Sequence, residues 1–337
     1  MKIENFEIGR NTFIIAEIGG NHNGDLDTAK ELIKLAKASG ADAVKFQTFD
    51  AAKYIDAATP AMALVRKFHK TQQERYKSLQ FTPDQWELLV RYCRELGIIF
   101  FSTPADSESA DLLDRYVSVF KIQSGDATNI PLIRHVAKKG KPVIMSTGMV
   151  TEAELKAAVG EIPKERLILL HCVSIYPTPP DRVSLLSIPY LQKAFGVPVG
   201  YSDHTEDSMA CLSAVALGAV VIERHFTNDK TQPIGDHKFS ADPEGFKGMV
   251  EQIRRIEKMR GGFETRLSDA ELKMRSIMWR GLSIKEDIPA GTVLTEDLLI
   301  PLRPWKGIQA SRIDSIIGRK TKKDLKKGDF LEEVHIG

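Results

Sequence analysis

Two short stretches of this 337-residue chain end in a histidine behind an apolar run: Pro198-Val-Gly-Tyr-Ser-Asp-His204 and Val220-Val-Ile-Glu-Arg-His225. The histidines are 21 residues apart, and an Ala-rich helical segment, Asp207 to Gly218, lies between them. Strand, helix and strand in that order set the ends of two parallel strands side by side on one sheet edge. Two imidazoles at such an edge form a pair for a divalent metal ion. With two histidines and a carboxylate at most, the coordination sphere is open and wet. That suits a labile Mn²⁺ or Mg²⁺ better than a structural zinc. The competing reading is a pair of hydrogen-bonded interior histidines.

Six further apolar runs also end in polar residues. The first ends in Glu17, followed by Gly19-Gly-Asn-His-Asn-Gly24; the next carry Lys45 and Gln47, then Ser102-Thr103-Pro104. Lys121 precedes Ser124-Gly-Asp126, then come Ser146-Thr-Gly148 and His171-Cys-Val-Ser174, with Tyr176 beyond. A lysine inside an apolar strand is costly to bury without a partner. An ion pair with Glu17 or Glu223 is one solution. An anion site is the better one, because Ser124, Ser146, Ser174 and Ser202 can join Lys45 and Lys121 around one phosphate. Gly-rich turns after the fourth and fifth runs add backbone amides and helix N-termini. Taken singly, each serine reads as a helix cap. His22, in a Gly/Asn loop, reads as accessible and able to orient a substrate.

These polar ends need a scaffold that brings them together. The eight runs are Thr12–Ile18, Ala43–Gln47, Ile98–Thr103, Val119–Ser124, Pro142–Thr147, Leu167–Val173, Pro198–His204 and Val220–Phe226, with helical patterns between. In Leu26–Ser39, apolar Ala29, Leu32, Ile33 and Ala36 follow the i, i+3, i+4, i+7 rule before Gly40. Thr82 reads as an N-cap and Pro83 as the first residue of another helix. Eight strands, each followed by a helix, predict an α/β protein: a closed (β/α)₈ TIM barrel over residues 1–265. An open doubly wound sheet is disfavoured, since no Gly-x-Gly-x-x-Gly follows the first strand. The second βα connection, residues 50–80, is long enough for a substrate lid. A linker over 266–280, with a charged helical stretch at Ser268–Met278, leads to residues 281–337, where short alternating runs and Gly turns predict a small β-rich domain.

Bulk properties narrow the class. Net charge is only +2, with 42% apolar and 27% charged residues, so nothing points to nucleic acid or a membrane surface. The basic cluster Arg319 to Lys327 is flanked by acidic residues and reads as a solvated face. The three cysteines, Cys93, Cys172 and Cys211, are widely spaced without a CxxC and predict free thiols in a reducing compartment. No signal-peptide core and no membrane-length apolar run is present, so the expected location is cytoplasmic.

The motifs, in order, resemble the sialic acid synthase family: Ala16-Glu-Ile-Gly-Gly-Asn-His-Asn-Gly24, Val44-Lys-Phe-Gln47, Phe120-Lys-Ile-Gln-Ser-Gly125, Met145-Ser-Thr-Gly-Met149, Tyr176-Pro-Thr-Pro179, Tyr201-Ser-Asp-His-Thr205 and Glu223-Arg-His-Phe-Thr227. Asp287-Ile-Pro-Ala-Gly291 and Leu302-Arg-Pro304 resemble that family's C-terminal antifreeze-like SAF domain. The resemblance implies condensation of phosphoenolpyruvate with an N-acetylated hexose, N-acetylmannosamine in the type case, to a nine-carbon 2-keto acid and phosphate. It places Lys121, Ser146, Ser174 and Ser202 at phosphate positions and His204 and His225 as Mn²⁺ ligands. Glu17, Gln47, Thr103, Tyr176 and Asp236 fall at sugar positions. Arg303 matches an arginine that reaches the partner subunit's site, which implies a domain-swapped homodimer. Where the family commonly has Glu and Asn, this chain has Asp126 and Ser174.

Glu17 and Asp126 are then the candidates for stabilising a cation at C2 of phosphoenolpyruvate or activating the attacking water. Three alternatives use the same residues. Legionaminic or pseudaminic acid synthases take 2,4-diacetamido-6-deoxy sugars. A Schiff-base aldolase or lyase would use Lys45 or Lys121 as an amine nucleophile. A non-catalytic binding protein would use the tail as a recognition module.

Overall fold

In the computed structural model, which describes residues 1–61, 66–262 and 267–337, the eight expected strands form one parallel sheet. They are β1 (Phe13–Gly19), β2 (Ala43–Thr48), β3 (Ile99–Pro104), β4 (Phe120–Ile122), β5 (Val143–Ser146), β6 (Leu167–Cys172), β7 (Val199–Asp203) and β8 (Val221–His225). Hydrogen-bonded order runs β3-β2-β1-β8-β7-β6-β5-β4, and β3 lies alongside β4, which closes the barrel. The strands read as near-continuous apolar runs because both faces are covered, by helices outside and packed side chains inside.

The helices begin and end where their caps dictate. Asp25 caps Leu26–Ala38 through the Thr28 amide, burying Ala29, Leu32, Ile33 and Ala36 against the sheet. Gly40 follows at φ +89°, a left-handed turn that a side chain would strain. Thr82 and Gln85 form a capping box around Pro83–Leu96. Of the long connection 50–80, short helices span Ala51–Tyr54 and Gln72–Leu79, while residues 62–65 lie outside the described residues.

The chain divides into two compact units, Met1–Gly261 and Gly262–Gly337. The expected boundary at 265–266 lies outside the described residues. In the second unit, the helical stretch expected within the linker forms a helix over Asp269–Met278, started by a Ser268–Glu271 capping box. Strands β9 (Gly281–Ile284) and β10 (Leu299–Leu302) then pair antiparallel. Leu282, Ile284, Leu294, Leu325 and Leu331 give this unit an apolar core of its own.

Candidate active site

Parallel register puts the polar strand ends at matched heights. His225 pairs with Glu17 and Glu17 with Lys45, while Glu223 pairs with Ser202 and Cys172 with Ser202. Side chains alternate across a strand, so Glu223 and His225 share one face of β8.

At the centre is a buried quartet of charge. Lys45 Nζ lies 2.8 Å from Glu17 Oε2 and 3.8 Å from Glu223 Oε1, and Lys121 Nζ lies 3.8 Å from that same Glu223 oxygen. All four side chains are almost wholly removed from water. Each isolated ion would cost several kcal/mol to desolvate, so two ammoniums and two carboxylates persist there only together. Burial pushes Glu17 up from 4.5 to about 7, against the pull of Lys45 and with a push from Glu223. Burial also lowers Lys121. Lys45 is raised despite its burial, because Glu17 and Glu223 both favour its charged form. Gln47 Nε2 donates to Glu17 Oε1 at 3.2 Å and Lys45 donates to Thr103 Oγ1 at 3.3 Å, tying two sugar-site candidates to the quartet.

Beside the quartet, Ser124 and Ser174 flank Gly148, while Ser146 and Ser202 each bond a member of the quartet. Lys121 donates to Ser146 Oγ at 2.7 Å, Ser202 Oγ donates to Glu223 at 3.1 Å, and the Gly148 amide donates to Ser124 Oγ at 3.1 Å. Ser174 Oγ is buried without a hydrogen-bond partner among the described residues. A Cβ on Gly148 would stand 2.5 Å from Ser174 Oγ and 2.7 Å from Ser124 Oγ, inside the cradle itself. Hydroxyls about a missing side chain, with the Lys121 ammonium held on Ser146 two residues earlier, have the chemistry to suit a tetrahedral oxyanion.

His204 and His225 lie next to each other, ring centroids 5.6 Å apart. The Nδ1 of His204 is 2.8 Å from the Val173 carbonyl, so it carries the proton and leaves Nε2 as a free acceptor. His225 is held well below its ordinary range by burial and then by His204, so it is a neutral donor, and its buried Nδ1 has no hydrogen-bond partner among the described residues. Asp236 Oδ2 is 3.8 Å from that nitrogen. Among the described residues no cluster of three or more His, Cys, Asp or Glu is spaced to hold a metal. Against the opposing effect of its burial, Cys172 and the Val173 carbonyl raise His204, so an ion there would displace its proton. The two imidazoles nonetheless fit a divalent ion whose other positions go to water or substrate oxygen.

Not every expectation holds in place. Asp126 is buried, but both its oxygens are taken, by Gln123 at 2.7 Å and Asn129 at 3.3 Å. Among the described residues no hydrogen bond or ion pair joins it to the quartet. Gln123 also donates to Tyr54 of the long connection at 2.9 Å, linking that segment to Asp126. His22 is buried rather than accessible; its ring stacks on Phe81 at 4.4 Å and accepts the Gly24 amide, and burial lowers it to about 4. Arg303 belongs to the second unit, where it is exposed just after β10.

The structure also adds residues. Glu223, read from sequence only as an ion-pair partner, is the carboxylate that both lysines share; its place two residues before His225 on the inward register is the signal that finds it. Phe239 has no such signal. Its ring lies 5.4 Å from His225 and 5.5 Å from Tyr176, which sits 4.1 Å from His204.

Residues 32–265 match the NeuB family and residues 280–336 match the SAF domain. The chain belongs to the NeuB family. It is 42% identical to N,N'-diacetyllegionaminic acid synthase of Legionella pneumophila, over 96% of this chain and 94% of that one. It is 36% identical to the human N-acetylneuraminate-9-phosphate synthase, over 95% and 91%. A crystal structure of N-acetylneuraminic acid synthetase from Leptospira borgpetersenii, in complex with citrate, superposes with a TM-score of 0.73 at 33% identity, covering 81% of this chain and 94% of that one. The NeuB-family chain is therefore an enzyme, a phosphoenolpyruvate-using transferase of the nonulosonic acid synthase type that forms a carbon–carbon bond. Among the described residues, no helix is long and apolar enough to cross a membrane.

Proposed function

We propose that this enzyme condenses phosphoenolpyruvate with an N-acetylated aldohexose in a metal-dependent reaction, releasing phosphate and a nine-carbon 2-keto acid. The observation that carries the reading is the serine and lysine cradle around Gly148, set beside the histidine pair. Lys121, Lys45, Ser124, Ser146, Ser174 and Ser202 hold the phosphate and carboxylate of phosphoenolpyruvate. Gln47, Thr103, Tyr176 and Asp236 line the acceptor side. His204 and His225 would hold Mn²⁺, or Mg²⁺ in its place, and a divalent ion there polarises the aldehyde oxygen.

Positioning supplies much of the rate, since the cradle holds C3 of phosphoenolpyruvate against the acceptor carbon. A bond forms between C3 and the aldehyde carbon, whose oxygen takes a proton to become the new hydroxyl. C2 is left as an oxocarbenium, and Glu17 and Glu223 stabilise that charge from inside the barrel. Water adds to C2 and gives its proton to Glu17, the carboxylate poised near neutrality. The resulting tetrahedral centre expels phosphate, which departs with the C2 hydroxyl proton as the ketone forms. The proton that water gave to Glu17 balances the one taken up by the new hydroxyl. Asp126 shapes the adjoining turn, its oxygens being held by Gln123 and Asn129.

For the acceptor, N-acetylmannosamine, giving N-acetylneuraminate, is the reading drawn from the motifs. The 42% identity to a diacetyllegionaminic acid synthase, against 36% to a neuraminate-9-phosphate synthase, favours a 2,4-diacetamido-trideoxyhexose instead. We assign the chain as a cytoplasmic homodimer, each Arg303 completing the partner's acceptor site.

The test is phosphate release and product mass with phosphoenolpyruvate, Mn²⁺ and a panel of both acceptors. A 2-keto acid of the expected mass supports the reading. Release of no phosphate with any acceptor would overturn it. Full activity in EDTA together with borohydride trapping of a pyruvate adduct on Lys121 or Lys45 would replace it with a Schiff-base mechanism.

A further inference from the structure

The residues just before the two histidines face the other way. On β7 and β8 the register pairs Arg224 with Asp203, each one residue short of His225 and His204. Side-chain alternation turns this pair away from the face that carries the histidines, into the layer where the helices pack. Asp203 is 2% exposed and Arg224 4%. The Arg224 guanidinium pairs with Asp203 Oδ2 and donates to the Asp207 carbonyl, while its Nη2 donates to the Thr205 carbonyl at 3.1 Å. Asp203 Oδ1 accepts from Tyr201 Oη and from the Thr205 amide, both at 3.0 Å, and Cys211 Sγ donates to Oδ2 at 3.3 Å.

While the other bonds hold the Asp203 carboxylate in place, those to the Thr205 amide and to the Thr205 and Asp207 carbonyls end on the loop that leaves His204. Its remaining freedom is removed from the other side, where the His204 carbonyl accepts the Thr178 amide at 2.8 Å and His204 Nδ1 meets Val173. A buried ion pair is a poor source of net stability, since apolar residues of similar volume often serve as well. What this one supplies is direction. A planar fork that grips two loop carbonyls and one carboxylate fixes where β7 ends relative to β8.

We infer that Asp203 and Arg224 are positioning residues that set the spacing and aim of His204 and His225 for a divalent cation. This rests on the reading of those histidines as the metal-holding pair. Neither residue touches substrate; both act through the backbone of residues 204–207 and the shared strand register. A merely structural ion pair would instead lower stability and leave cation affinity alone.

The experiment is calorimetric titration of the full chain with Mn²⁺ alone, without substrates, for the wild type, Asp203→Asn and Arg224→Lys. Asp203→Asn keeps the shape and loses the charge, and Arg224→Lys keeps the charge and loses the fork. Supporting residues around a metal site typically alter affinity 10–100-fold when changed, and a weakening of that order is expected in both variants. Binding of inorganic phosphate, read separately, should stay within about twofold of wild type, because every cradle residue except Ser202 lies outside β7 and β8. If Asp203→Asn does not fold, Asp203→Glu takes its place and should show a smaller loss. Wild-type Mn²⁺ affinity in folded variants with lowered melting temperature would overturn the inference. Failure of the wild type itself to bind Mn²⁺ would overturn the metal reading, and the inference with it.

Discussion

Glu223 Oε1 stands 3.8 Å from Lys121 Nζ in the barrel interior, with both side chains nearly free of solvent. That oxygen is equally far from Lys45, so one carboxylate balances two ammoniums. Glu223→Gln keeps an acceptor for Ser202 but leaves the lysines with Glu17 alone. Breaking a buried pair on one side costs about 3 kcal/mol, so the variant should melt well below wild type. Inorganic phosphate should restore more stability to the variant than to wild type, because an anion replaces the missing charge. Equal phosphate stabilisation of the two proteins, measured by thermal denaturation, would show that the cradle and Glu223 are uncoupled.

The cradle makes a steric prediction as well. Gly148 has no left-handed φ, so alanine meets no backbone strain there, yet its methyl would lie 2.5 Å from Ser174 Oγ and 2.7 Å from Ser124 Oγ. Gly148→Ala should raise KM for phosphoenolpyruvate at least about tenfold, and the circular dichroism spectrum should be unchanged. The acceptor's KM should move far less. An unaltered phosphoenolpyruvate KM would place the phosphate elsewhere.

How much of this was legible in the chain follows from which face each residue uses. Lys45, Lys121, Ser146, Ser202, His204 and His225 were readable because a polar group at the end of an apolar run conflicts with burial, and chemistry resolves the conflict. Glu223 obeys the same rule and needed only the period of two. Asp203 and Arg224 sit on the opposite face, where an outward charge reads as solvent-facing until the helix layer over it is known. Phe239 follows Asp236 in a segment without periodicity, so no pattern aims its ring. His22 misled for a related reason: Gly and Asn neighbours signal a surface turn, but this turn folds inward onto Phe81. The helix starts at Asp25 and Thr82 were legible because capping is local chemistry.

Glu17 sets a pH dependence with a definite sign. Burial first, opposed by Lys45 and aided by Glu223, raises its folded-state pKa from 4.5 to about 7. As a base it must be unprotonated, so kcat/KM should rise with pH through a limb near 7, and Glu17→Gln should lose both the limb and most of the rate. Stability runs the opposite way. A carboxyl with a raised folded pKa favours the fold fully below 4.5, and that contribution is lost as pH rises toward 7. Urea denaturation across this range should show the decline in wild type and not in Glu17→Gln. Parallel profiles for the two proteins would assign the limb to another group.

Phe239 is the remaining ring at the histidine pair. It meets His225 nearly edge to face, at 80°, and leans on Tyr176, whose own ring is half exposed. Such contacts are worth about 0.5–1.5 kcal/mol each, too little to hold the barrel together but enough to shape what approaches the histidines. In the proposed reaction, the acceptor's carbon chain would pass this aromatic wall to bring its aldehyde to them. Phe239→Ala should therefore raise the acceptor's KM about tenfold while phosphoenolpyruvate KM stays within about twofold. The loss should be greater for a 6-deoxy diacetamido acceptor than for N-acetylmannosamine, since a methyl gains more from an aromatic wall than a hydroxymethyl does. Equal losses for the two acceptors would mean that Phe239 packs the histidines without reading the sugar.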